Sequence, residues 1–111
     1  MKLGLVGGGF MGEAMVRAAL RAGLAAPADI VVCEQIPDRR QALAQQHSVN
    51  VTAELGDVAA GEGLLILAVK PQDCASLAPL GPALPPERTV VSIMAGVRLD
   101  TVRELLHHER V

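Results

Sequence analysis

Short apolar runs alternate with stretches of helical period along the whole chain. Lys2–Val6, Ile30–Cys33, Val49–Thr52, Leu64–Val69 and Thr89–Ile93 are brief and nearly all apolar, as strands buried on both faces are. From Met11 to Ala22 the period lengthens to that of a helix. It places Met11, Ala14, Met15, Ala18 and Ala22 on one face, and Glu13, Arg17 and Arg21 on the other, where Glu13 and Arg17 can pair. Gly23 stands where a C-terminal cap belongs, and Pro27 follows soon after. Pro37–Gln46 reads as a helix opened by a proline in its first turn, and Leu55–Ala60 as a weak, short one. Pro71 can start another helix, but Pro79, Gly81, Pro82, Pro85 and Pro86 keep it short and make a rigid connector. Asp100 is placed to cap a last helix with Leu99, Val102, Leu105 and Leu106 on one face. The alternation predicts an α/β fold with a parallel sheet covered on both faces.

Composition narrows the class. The chain has 111 residues, one domain's worth, and 50% of them are hydrophobic, yet its only aromatic residue is Phe10. The core must therefore be built of Ala, Val, Leu and Ile. A net charge of −2, with both signs interspersed, gives no footprint for nucleic acid or for an anionic membrane. No apolar stretch reaches the roughly 18–20 residues of a membrane helix, and Lys2 leads straight into a strand, unlike a secretory leader. Cys33 and Cys74 stand alone, so neither a metal site nor a disulfide is expected, and a reduced, cytoplasmic setting fits. His47 reads as a surface helix residue, and His107 and His108 as helix C-terminal ones. Met11, Met15 and Met94 read as packing residues.

The stretch "LGLVGGGFMGEAM", Leu3 to Met15, carries the first chemistry. It fits G-x-G-x-x-G as Gly7, Gly9 and Gly12, after a strand and at the opening of a helix, and Glu34 ends the second strand. The three glycines differ in what they do. Gly7 permits the tight turn, Gly9 lets a pyrophosphate approach the backbone, and Gly12 lets helix and strand pack closely. The free N–H groups and positive dipole end of the helix then face the phosphates. The ligand expected is a dinucleotide on a Rossmann-type, doubly wound sheet. A carboxylate at Glu34 can accept both ribose hydroxyls and repel a 2′-phosphate, which favours NADH among the NAD(P)H pair. Against this preference, Arg39 and Arg40 lie a few residues further on, within reach of a phosphate. Their first reading is as two solvated residues on the outer face of a helix.

Two more stretches fall at strand ends: "LAVKPQ", Leu67–Gln72, and "SIMAGV", Ser92–Val97. In a doubly wound sheet, ligands bind beyond the carboxyl ends of the strands near the switch point. Together with the glycine loop, this set resembles the pyrroline-5-carboxylate reductase family, over essentially the whole chain and in order. The resemblance implies NAD(P)H-dependent reduction of a cyclic imine to proline. It also implies that Gly7, Gly8, Gly9, Phe10 and Met11 wrap the pyrophosphate. Ala68, Val69, Lys70 and Pro71 would line the nicotinamide side, and Met94, Ala95 and Gly96 would close over the cofactor. No side chain of the chain is assigned a catalytic role. Leu55 or a neighbour stands where the family commonly has a cofactor-contacting Asn.

In that family a sixth strand and a helical second domain, with the substrate pocket and the dimer interface, follow the last helix; this chain reaches Glu109-Arg110-Val111 at that point. The expectation is therefore a Rossmann domain over residues 1–111 that meets its imine only with the further domain. It is expected to be inactive by itself, and its unpaired fifth strand would invite homo-oligomers. Two other readings stay open. One is the cofactor domain of another dehydrogenase, deazaflavin-dependent or acting on 3-hydroxyacids. The other is a stand-alone nucleotide-binding module.

Overall fold

The structure, a computed structural model, describes residues 1–111. Its five strands are β1 (Leu3–Val6), β2 (Ile30–Cys33), β3 (Asn50–Thr52), β4 (Leu64–Leu67) and β5 (Val90–Ser92). All pair in parallel in the order β3-β2-β1-β4-β5. The chain winds outward from β1 in one direction and then, from β4, in the other. The switch point lies between β1 and β4, where two strand ends diverge and leave a crevice.

Alternation along the strands divides the core in two. Leu3, Leu5, Ile30, Val32 and Ile66 face α1 (Phe10–Arg21) and α2 (Pro37–His47), where Val16, Ala19 and Leu43 meet them. Val6, Cys33, Leu65, Leu67 and Val90 face the opposite layer of α3 (Leu55–Ala59), a 3₁₀ stretch (Pro71–Ala83) and α4 (Leu99–Leu106). The connector after Pro71 is longer than its prolines suggest. The 3₁₀ stretch carries Pro79 and Pro82 inside it, and its Leu77 and Leu80 are buried.

α1 is rotated from the face its methionines suggest. Gly12, Val16 and Ala19 are buried, whereas Met11 is 54% exposed and Ala18 and Ala22 are open to solvent. Contact between Gly12 and the backbone of Gly7 sets that rotation, and the flexible thioethers take what is left. The Glu13–Arg17 pair forms, at 3.4 Å. Gly23 closes the helix as a left-handed cap, with Leu24 N–H on the Ala19 carbonyl at 3.0 Å.

α4 starts at Leu99, with Arg98 as its cap position and no side chain capping it. Asp100 lies in the first turn and pairs with Arg103 at 3.0 Å instead of capping. Leu99 is exposed, while Val102 and Leu106 are buried. The outer edge of β5 is not bare along its length, because Val90 donates its N–H to the Arg110 carbonyl at 2.8 Å.

Histidines and one arginine behave differently from what their sequence positions suggest. His47 is half-buried and reaches Glu13 across the two helices at 3.0 Å. His108 is buried, with its Nε2 2.6 Å from the carbonyl oxygen of Arg88. Arg88 itself is 4% exposed and faces no carboxylate. Its guanidinium donates to carbonyls of Val58, Ala59, Glu62, Gly63 and Leu64. Burial lowers its pKa, and the carbonyl cage takes the place of a counter-ion.

Candidate functional site

The carboxyl ends of β1, β2 and β4 meet at a cleft of about 670 Å³. Local chain geometry shapes its floor. Gly7 turns the chain out of β1 with φ +102°, a conformation that L side chains rarely adopt; a Cβ there would stand 2.8 Å from the Ala68 carbonyl oxygen. At Gly12 a Cβ would stand 1.9 Å from the Gly7 carbonyl oxygen, so only a glycine lets α1 approach its own strand this closely. The loop is tied on both sides. Gly7 N–H donates to the Cys33 carbonyl at 2.9 Å, and Ala68 N–H donates to the Val6 carbonyl at 2.8 Å.

Above this floor sits an anion cradle. Gly9 is the cap position of α1, no side chain caps it, and the first helical bond runs from Glu13 N–H to the Gly9 carbonyl at 2.8 Å. The N–H groups of the opening turn are thus left without partners in the chain. A Cβ on Gly9 would point into open space, with only the Arg39 guanidinium near, at 3.5 Å. That is the shape a phosphate needs: backbone donors, the positive end of a helix dipole, and no side chain in the way.

Glu34 organises the β2 side of the crevice. It is 9% exposed, and its two carboxylate oxygens accept separate backbone N–H groups, from Gly8 at 2.9 Å and from Ile36 at 2.8 Å. The carboxylate therefore holds the glycine loop to the end of β2. Each oxygen keeps a lone pair for a further donor. Arg40 serves the same turn, donating to the carbonyls of Glu34 and Gln35 at 2.7 and 3.1 Å. Arg39 is solvent-exposed, as its sequence position suggests, and it also lines the cleft.

Of the residues singled out in the sequence, Gly7, Gly9, Glu34, Ala68, Val69 and Lys70 line the cleft together. Gly8 lies just beneath, packed on Glu34 and Leu43. Phe10 and Met11, 83% and 54% exposed, stand on the first turn of α1, outside the cleft lining. Pro71 opens the 3₁₀ stretch without lining the cleft. Met94 is buried in the core, and Ala95 and Gly96 lie beyond it, so this third loop does not line the cleft formed by the chain alone.

Residues not singled out complete the wall: Gln35 and Ile36 beside Glu34, and Asp73, Ser76 and Leu77 opposite. Position beyond the ends of the second and fourth strands was the available signal for them. Leu55, noted only as the replacement of a polar residue, lines the cleft too. So does Cys33, whose thiol pKa is pushed up by burial first and by Glu34 next.

Comparison with known proteins agrees with this geometry. A family described as "NADP oxidoreductase coenzyme F420-dependent" matches residues 2–96. The chain is 34% identical over 110 residues to pyrroline-5-carboxylate reductase of Escherichia coli (strain K12), covering 98% of this chain and 41% of that protein. It is 31% identical over 109 residues to the same enzyme of Pisum sativum, covering 97% of this chain and 40% of that protein. Among solved structures, a pyrroline-5-carboxylate reductase from Coxiella burnetii superposes with a TM-score of 0.80 at 23% identity, over 95% of this chain and 39% of that one. The chain thus spans about two-fifths of the length of the curated relatives it matches.

Proposed function

This chain belongs to the family described as NADP oxidoreductase, coenzyme F420-dependent, and from that premise we propose that it is the dinucleotide-binding part of a pyrroline-5-carboxylate reductase. One observation carries the reading. The glycine loop and the Ala68-Val69-Lys70 stretch, far apart in sequence, line a single cleft at the switch point of the sheet. In this reading the pyrophosphate lies on the opening turn of α1, the adenosine ribose beside Glu34, and the nicotinamide toward Ala68, Val69 and Lys70. Bound NAD(P)H would supply a hydride to the imine carbon of pyrroline-5-carboxylate, while the ring nitrogen takes a proton, giving proline. The chain's own contribution is to bind, to orient, and to hold the nicotinamide end against an apolar wall that includes Leu55 and Leu77.

Among the two dinucleotides, NADH is the expected preference. The buried carboxylate of Glu34 can accept ribose hydroxyls with its remaining lone pairs, and it repels a 2′-phosphate. Titration calorimetry of residues 1–111 with NADH and NADPH tests both statements. Tighter NADH binding, with the gap narrowed by about ten-fold or more in Glu34→Ser, is the expected result. No binding of either dinucleotide would remove the reading altogether. A second reading, a different oxidoreductase of the same family, draws on the family's own description. Imine reduction by the protein that carries this domain, in place of deazaflavin-linked NADP reduction, separates the two.

A further inference from the structure

Three arginines differ in what their guanidiniums bind, and two of them, Arg88 at the far end of the sheet from the glycine loop and Arg40 beside it, are committed to the chain. Arg88 directs its guanidinium at five carbonyls. Arg40 directs its own at the carbonyls of Glu34 and Gln35, just after β2. Arg39 is different. It stands in the first turn of α2, exposed at the rim of the cleft, and its guanidinium has neither a hydrogen bond nor an ion pair within the chain. Glu34, a carboxylate of the cleft wall, is bonded to Gly8 and Ile36 and makes no ion pair with it. Its Nη1 lies instead 3.5 Å from the place a Cβ of Gly9 would occupy, over the cap position of α1.

We propose that Arg39 is a phosphate clamp that grips the pyrophosphate bridge of the dinucleotide. The inference rests on the dinucleotide reading above and adds a residue to it. The bridge would lie between the unbonded N–H groups of the first turn of α1 and the guanidinium of Arg39. Both are donors, and both face the open space above Gly9. A guanidinium fork matches two phosphate oxygens at once, and a charge-assisted pair of this kind is stronger than a neutral hydrogen bond. Its place over Gly9, with no ion pair to the Glu34 carboxylate, assigns it to the bridge and not to a phosphate on the adenosine ribose. Arg39 therefore supports NADH and NADPH alike, while Glu34 discriminates between them.

The test is calorimetry on the 111-residue chain with NADH, NADPH and ADP-ribose, comparing the unmodified chain with Arg39→Gln and Arg39→Lys. Arg39 is exposed and bonded to nothing through its side chain, so both variants should melt with the unmodified chain. Arg39→Gln is expected to weaken all three ligands by a similar factor, about ten-fold, with part restored in Arg39→Lys. The affinity of Arg39→Gln should also depend less on salt, because one exposed charge has been removed from the contact. Equal affinities in Arg39→Gln and the unmodified chain overturn the clamp alone. A loss confined to NADPH overturns it as well and moves Arg39 to the ribose phosphate. If the unmodified chain binds none of the three ligands, the clamp and the dinucleotide reading fall together.

Discussion

Gly9 and Gly12 belong to one glycine motif, yet a side chain would meet opposite surroundings at the two. At Gly9 it would enter the open cleft; at Gly12 it would strike the Gly7 carbonyl. Gly9→Val should therefore melt near the unmodified chain but lose NADH binding, whereas Gly12→Val should cost at least about 3 kcal/mol in urea unfolding. A stable Gly12→Val would mean that α1 can pull away from β1. Glu34→Ala should be costly for a different reason. It strands the N–H groups of Gly8 and Ile36, one of them at a buried contact, for a loss of about 2 kcal/mol. Cys33 gives the pH dependence. Its pKa is raised in the folded state, chiefly by burial, so the fold holds the thiol proton more tightly than the unfolded chain does. That contribution is full below the ordinary thiol range and drains away as pH rises from that range through the raised value of the folded state. Between about pH 8 and about pH 10 the unmodified chain should lose more stability than Cys33→Ala, as read by thermal melting at each pH.

At the scale of elements, one side chain ties three of them together. Arg88, just before β5, reaches across to the carboxyl end of α3 and the turn leading into β4. Free carbonyls collect at the end of a helix, and a cation there also meets the negative end of its dipole. Arg88→Met keeps most of the volume but leaves those buried carbonyls unpaired. A loss of about 3 kcal/mol is expected in denaturant titration. A loss under about 1 kcal/mol would show that the cage is satisfied in some other way. Nothing in "PPERT" marks this arginine, because a cation in a proline-rich turn has the pattern of a solvated one. α1 shows the same limit from the other side. Its methionines and alanines outline a plausible apolar face, but the face actually buried runs through Gly12, which carries no hydrophobic signal.

For the whole molecule, the cleft is a one-sided shelf, built at the ends of strands from the glycine loop, β2 and β4. A reductase must also hold its imine roughly 3–3.5 Å from the nicotinamide, and much of its rate comes from that positioning. Residues 1–111 are expected to bind dinucleotide yet show no measurable reduction of pyrroline-5-carboxylate with NADH; robust turnover would require a substrate wall within these residues. Local pattern determined the order of strands and helices, the parallel sheet, the glycine loop and the strand-end stretches, because each depends on neighbours within a turn or a strand's length. What the third dimension decided depends on backbone brought together from distant positions. The Gly7 carbonyl rotates α1, the Gly8 N–H converts Glu34 into a latch, and the Arg39 guanidinium comes to stand over Gly9 while Arg40 turns to the backbone. Carbonyls and N–H groups are the same at nearly every residue, so no side-chain pattern records where they will meet.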